Sequence, residues 1–400
     1  MSTNLAAPQT GRDDRKTATI VKQLVRPFPG ARISGKFLQS RDILRSPKSR
    51  QANASSSITD VSDADETPFP FLDGEAHRRR RASVASYFTP RAISQRYMPL
   101  MEKAMDRVIA QFQARGSGVV DMMSLELASV VTMDILGLTN SNVVELTKRV
   151  QAILNNRNSF DRRPHIVFIR DYLFRWFFDY RMKLRKERFW QADIVPAMET
   201  RRKEPKDDVL TLLMEKNYSK NGITMECMTY ATAGVSTTRE FIVMSLWQLF
   251  DHPELMRQFK DGDEETQFNI LHEVVRLDPP AGYIYRRAPA ESTAETAQAS
   301  ELIAIDLRAN NSDTDVVGGC PFQIDPDRAR RQKNVGAYLS FGDGPHRCPG
   351  SEVALVETRV FLNRILQVPG LKLAQTPTVT WNLASGTYEL RGAVVTCDKT

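Results

Sequence analysis

Only four of the 400 residues are cysteine, and Cys227, Cys320, Cys348 and Cys397 have none of the spacing of a disulfide framework. A small stapled fold is therefore excluded, and a reducing, cytoplasmic setting is expected. Long apolar runs are also missing: no stretch approaches the roughly 18 apolar residues that a membrane crossing needs. The first residues, MSTNLAAPQTGRDDRK, are polar and lack the apolar core of a signal segment, so no membrane association is expected. No Gly/Ser-rich linker divides the middle, and no repeat recurs. The net charge of +7 is scattered and carries no recognised nucleic-acid module. That excess reads as solubility or, more sharply, as attraction for an acidic partner.

What remains is a mostly helical chain. Residues 1–18 are expected to be disordered and 19–400 to form one domain. Ser46–Ala64 is Ser-rich and without periodicity, hence a loop. Helical spacing recurs at 75–86, 91–114, 120–136, 141–154 and 165–201. The last of these holds the aromatics Phe174, Trp176, Phe177, Phe178, Tyr180, Phe189 and Trp190, read as helix–helix core. A further helix, apolar on most sides and so expected to be central and buried, spans Thr224–Leu249 with Thr224 as its N-cap. Another covers Glu264–Leu277 and stops before Pro279-Pro280. Short β-like pieces occupy 281–310 and the tail from Leu371. The fold class expected is mainly α with a minor β part, α+β.

The segment Phe341-Gly-Asp-Gly-Pro-His-Arg-Cys-Pro-Gly350 carries the strongest chemical signal. Pro349 followed by an amphipathic run marks a helix start, so Cys348 should sit where helix-end N–H groups favour a thiolate. Gly344 and Gly350 let the backbone approach something flat and large. A thiolate against a planar face is the ligand arrangement of a haem-thiolate enzyme. The other three cysteines read as small buried hydrophobes.

This decapeptide resembles the haem loop of the cytochrome P-450 superfamily, in its soluble bacterial-type branch. The resemblance implies the fold of that family, with a long central helix over haem b and the cysteine loop beneath. Cys348 would be the metal ligand, with Phe341 and Gly350 flanking the cofactor. Three further segments agree in order and spacing. Glu273-Val-Val-Arg276 places carboxylate and guanidinium on one helix face. Taken alone, that is an ordinary surface pair; the resemblance makes it a buried structural lock with Arg328, with Arg330 and Arg331 as competitors. His77 and Arg81, at i and i+4, suit an anionic haem propionate. Arg286, with Arg287 as alternate, and His346 are implied as further propionate partners. Arg78, Arg79 and Arg80 read as a solvated basic start near the surface where the family docks its reductant.

The fourth segment is Ala233-Gly-Val-Ser-Thr-Thr238 on the central helix. Ala233 would leave room over the iron, and Thr237 matches the family's proton-handling alcohol. Ser236 stands where the family has an acid, which puts ordinary proton delivery in question. Glu240, one turn on, is a candidate relay. Leu355 departs from the family's Arg, while Glu357 matches. The substrate pocket is expected along Val235, Ala281, Tyr283, Tyr285, the turn 384–387 including Thr387, and the Ser-rich loop. The function implied is dioxygen activation, with electrons from NAD(P)H through an acidic ferredoxin or similar reductant. The outcome would be hydroxylation, oxidative modification or coupling of a mostly apolar small molecule in secondary metabolism. The missing acid suggests a peroxide-dependent enzyme as alternative, and a non-catalytic haem sensor is the rival of another class.

Overall fold

The structure, a computed structural model, describes residues 12–52, 66–154, 175–289, 300–334, 336–382 and 385–399. The expected helix over 165–174, residues 53–64 of the Ser-rich loop, Phe174 and Ala384 lie outside them. Order extends further toward the N-terminus than the expected boundary at 18. The Asp14 N–H donates to the Phe322 carbonyl at 2.9 Å, and Thr17 donates its N–H to Asp278 at 3.0 Å. These bonds join residues some 260 to 310 apart in sequence, which no local pattern announces.

The central helix is built in three pieces: Lys220–Ala231, a π turn Thr232–Ser236, and Thr237–Asp251. It begins one turn earlier than expected. Ser219 is the N-cap, accepting from the Gly222 N–H, a contribution of about 1 kcal/mol. Thr224 instead donates back to the Lys220 carbonyl. Pro253, just past Asp251, stops the run. Phe241, Ile242, Met244, Leu246 and Leu249 are buried on several sides of the last piece, as an all-round apolar helix requires. It packs against Met98–Arg115 through the main core, and directly on Val120–Leu136 and Ser351–Ile365.

The strands form three small sheets. One has the order β1 (Arg32–Ser34), β5 (Ser300–Asp306), β4 (Tyr283–Pro289), β2 (Arg50–Gln51). β1 runs parallel to β5, whereas β4 is antiparallel to both β5 and β2. The second joins β3 (Ser117–Val119), β9 (Val394–Thr396) and β6 (Lys372–Gln375); the third is the hairpin of β7 (Thr378–Asn382) and β8 (Thr387–Arg391). A second, smaller core of Phe37, Leu44, Ile303, Ile305 and Leu339 sits under the four-stranded sheet. The mainly helical α+β architecture is thus as expected, and the Glu264–Leu277 helix has the expected bounds.

The aromatic run on Arg175–Phe189 differs from its core reading. Trp176 is 71% exposed and Tyr180 57%, while Phe189 is fully buried. Toward its C-terminal half the helix turns inward, with Met182 packed against the core and Phe189 within it.

Candidate active site

The loop before Cys348 is fastened at several points. The Cys348 N–H donates to the Phe341 carbonyl at 2.8 Å, closing the turn. Gly342 and Gly344 adopt φ of 69° and 66°, a left-handed region costing other residues about 1–2 kcal/mol. Gly344 has a second constraint: a Cβ there would stand 2.6 Å from the Leu44 carbonyl oxygen. Arg81 Nη2 donates to the Arg347 carbonyl at 2.7 Å, tying the loop to the Gly74–Val84 helix. The following helix starts at Ser351 with Gly350 as N-cap, so Pro349 precedes its first turn instead of opening it.

Cys348 is exposed, in contrast to Cys227. Cys320 is exposed and Cys397 half-buried, so the buried-hydrophobe reading holds for Cys227 alone. Cys348 is open to solvent on one side yet crowded by protein on the others, and that crowding raises its thiol pKa. The Gly350 N–H, then the Arg81 and Arg347 guanidinia, pull it back. A coordinated cation would complete the shift to thiolate.

Behind the loop, Glu273 is bidentate to Arg276 at 2.6 and 2.9 Å and accepts from Arg328 at 3.1 Å. All three are at most 2% exposed. Arg276 also holds the carbonyls of Asn311, Pro321 and Gln323; Arg328 holds those of Val317, Gly319, Cys320 and Gln323. Arg330 and Arg331 stay on the surface, leaving Arg328 as the third member.

His77, Arg81, Arg286 and His346 come together at one edge of the opening. The His77 and His346 rings lie 3.9 Å apart. Desolvation lowers the His346 pKa to about 3, with His77, Arg286 and Arg81 adding to it. Desolvation also brings the Arg286 guanidinium down to about 10, opposed by Asp73. His77 Nε2 is buried with no partner among the described residues. Arg287 is exposed, so the buried arginine at this edge is Arg286. Two residues that sequence reasoning did not assign complete this edge. Gln51 accepts from Arg286 and contacts His346 Nδ1 at 3.2 Å. Asp73 accepts the Gln51 N–H and lies 3.5 Å from His346 Nε2. Gln51 falls in an aperiodic loop and carried no signal; Asp73 lies four residues before His77, outside the pair that the i, i+4 spacing singles out.

Phe88 links the loop to the central helix just ahead of its π turn, packing near Gly350 and stacking on Tyr230 at 6.4 Å. Ala233 is exposed here, and Ser236 and Thr237 are partly so, although the helix on both sides is buried. Thr237 Oγ1 donates to the Ala233 carbonyl at 2.6 Å, occupying an acceptor that the π turn frees. Gly234 is required for packing, since a Cβ would meet Thr132 Oγ1 at 2.5 Å.

Four expectations are corrected. Glu240 does not reach this opening. Its carboxylate accepts from the Leu390 N–H at 2.7 Å, from Arg391 at 2.7 Å and from Arg239 at 3.0 Å, on the side of β8. Val235 is 5% exposed and turned inward, since neighbours one residue apart on a helix point about 100° apart. Tyr283 and Tyr285 lie on the strand face opposite Arg286, because side chains alternate. Tyr285 stacks on Phe28 at 4.5 Å and accepts its N–H at 3.3 Å, so it belongs to the N-terminal contact. Arg80 is 5% exposed and paired inside with Glu226 at 3.1 Å, so it is no part of a basic surface. Ala281 and Thr387 do meet, across an isolated bridge.

The donors present fit a haem: an accessible cysteine in a glycine-relieved loop, an orphaned buried imidazole nitrogen, and two desolvated guanidinia at one edge for its carboxylates. The fold and the cysteine loop together define a haem-thiolate protein. The sequence model described as Cytochrome P450 matches residues 47–262 and 269–379, and the chain belongs to that family. It is a monooxygenase of that family, an oxidoreductase. The chain is 24% identical over 360 residues to the biotin biosynthesis cytochrome P450 of Bacillus subtilis (strain 168), covering 87% of this chain and 85% of that one. It is 24% identical over 328 residues to the vitamin D(3) 25-hydroxylase of Pseudonocardia autotrophica, covering 77% and 73%. Among solved structures, P450BioI in complex with an acyl carrier protein bearing hexadec-9Z-enoic acid superposes with a TM-score of 0.73 at 21% identity, over 94% of each chain. A mutant of P450 EryK in complex with erythromycin B does so at 0.69 and 20%, over 95% and 94%. No helix among the described residues is long and apolar enough to cross a membrane.

Proposed function

We propose that this chain hydroxylates or oxidatively couples a mostly apolar small molecule of secondary metabolism, with electrons passed from NAD(P)H by an acidic ferredoxin-type partner. The supporting observation is the pairing of an exposed Cys348 with the opened π turn at Ala233 and Thr237. When bound, haem supplies the oxygen and redox chemistry. The chain's part is to hold it and control protons. Cys348 would be its ligand; His77, Arg81, Arg286 and His346 would take its carboxylates; Ala233 would leave it space. Thr237, its own proton already given to Ala233, offers an oxygen that accepts. Ser236 is the nearest further hydroxyl. Ala281 and Thr387 border the substrate side. Glu273, Arg276 and Arg328 keep the loop in place.

The test is the ferrous carbon monoxide spectrum of the purified protein, then a screen for ligands that change the spin state. A thiolate-type band that disappears in Cys348→Ser is expected; an unchanged haem spectrum in that variant overturns the reading. Because Glu240 is committed to β8 and Ser236 replaces the acid, a peroxide-dependent reaction is the second reading. Turnover with peroxide alone that exceeds turnover with NAD(P)H and redox proteins would favour it.

A further inference from the structure

The Gly74–Val84 helix presents four consecutive cationic positions to different surroundings. Arg78 and Arg79 face solvent, Arg81 holds the cysteine loop, and Arg80 is driven into the protein beside the central helix. There Arg80 Nη2 meets Glu226 Oε1 at 3.1 Å, and its guanidinium lies over Tyr218 at 4.6 Å. Glu226 is fully buried. The pair does not satisfy itself. Arg80 Nε and Nη1, Glu226 Oε2 and the Tyr230 hydroxyl are all buried without a partner among the described residues. Buried polar atoms left over in one place are unusual and call for an explanation.

Their position supplies one. Tyr230 is one turn from Glu226 on the same face of the central helix. Arg81 feels both the Tyr230 hydroxyl and the Cys348 sulfur electrostatically. His77, with its orphaned nitrogen, is three residues from Arg80. A charge change at the haem would reach Glu226 through the half-buried Arg81 and the buried Tyr230 and Arg80, where screening is weaker than in water.

We propose that Glu226 is a positioning residue for the haem: through Arg80 it sets the Gly74–Val84 helix and its cradle, and it takes up one proton when the haem iron gains one electron. The balance is simple. The reductant gives an electron to the iron, solvent gives a proton to the carboxylate, and the net charge of the site is unchanged. This rests on haem binding at Cys348.

The groups around Glu226 are few. Arg80 is its charged partner; Cys227 and Tyr230 share its helix; Tyr87 comes from the turn after the Gly74–Val84 helix. Asp208 and Asp193 lie beyond Cys227, and Glu66 accepts from Ser219 two turns below. Burial outweighs Arg80 and raises the Glu226 pKa to about 7. Below that pH the carboxyl is already neutral; well above it the carboxylate stays charged in both redox states. Between these limits reduction draws a proton, so the midpoint potential falls as pH rises.

The experiment is a redox titration of the haem-loaded protein from about pH 5 to about pH 9, followed by absorbance. The parent is expected to show a descending segment near neutrality, with a limiting slope of about 59 mV per tenfold change in proton concentration for a one-electron couple. Glu226→Gln is expected to remove that segment while the haem spectrum persists. A merely structural role would lower thermal stability and leave the slope. Should Glu226→Gln not fold, Arg80→Leu with Glu226→Leu replaces the pair by apolar groups, a change buried pairs often tolerate, and the same loss is expected. A parent without the segment, or a folded variant that keeps it, overturns the proposal. A chain that takes up no haem overturns the Cys348 reading as well, and its spectrum shows that before any titration.

Discussion

At the scale of single residues, the chemistry turns on a hydroxyl standing where a carboxyl would be expected. Ser236 is partly accessible beside Thr237, and a serine cannot hold and release a proton near neutrality as an acid can. A positioned general acid contributes typically 10²–10⁴-fold. Ser236→Asp is therefore expected to raise the share of reducing equivalents ending in product by roughly tenfold or more, at the expense of hydrogen peroxide released per NAD(P)H consumed. Unaltered peroxide release would show that residue 236 is not in the proton path. Glu240→Gln should do something different. It removes the charge facing Arg239 and Arg391, so unfolding by denaturant should show a loss of about 3 kcal/mol, as for a broken buried pair. Peroxide release should stay as in the parent. A stable variant that leaks peroxide would return Glu240 to the catalytic path.

At the scale of elements, the cysteine loop makes an ordered prediction about its glycines. Both Gly342 and Gly344 have positive φ, but a Cβ at Gly342 would come no nearer than 3.5 Å to any neighbour, at Ile284 Cδ1, an ordinary contact. At Gly344 it would press on the Leu44 backbone. Gly344→Ala should thus lose more haem per protein than Gly342→Ala, whose cost is the conformational one of about 1–2 kcal/mol. Equal retention would mean that the Phe37–Arg45 helix yields freely. The same contrast explains what the sequence could reveal. The loop, the E-x-x-R helix and the His77–Arg81 face are short-range patterns, legible because spacing alone sets which groups share a face. Arg328 was legible only as one of three, and burial chose it. Arg80 and Glu240 were misread because their partners Glu226 and Leu390 stand 146 and 150 residues away. A basic run and a helix-interior glutamate look the same on paper whether they face water or another helix. Tyr285 was misplaced through strand alternation, which needed a register that the aperiodic stretch before Tyr283 did not fix.

At the scale of the whole molecule, the question is how the +7 charge is used. Many of its arginines are spent internally: Arg276, Arg328, Arg286, Arg80 and Arg201 are all buried, most against acids or carbonyls. On the Gly74–Val84 helix the exposed positive charge is carried by Arg79 and by Arg78, the latter 72% exposed at its side chain and sharing Glu75. Exposed pairs of this kind are worth little to stability, so reversing the two charges should leave the fold intact. Their effect on an acidic reductant should be kinetic. Complementary charge mainly raises the encounter rate, and salt weakens it over a Debye length of about 8 Å at physiological ionic strength. Arg78→Glu with Arg79→Glu is therefore expected to slow the first electron transfer from an acidic ferredoxin at low salt by roughly tenfold. The difference from the parent should close as salt is added, and the carbon monoxide spectrum should not change. Stopped-flow reduction across a salt series reads both. Equal rates at every salt concentration would place the reductant on another face of the molecule, and a gap that persists at high salt would mean that the two arginines act on the haem itself and not on the encounter.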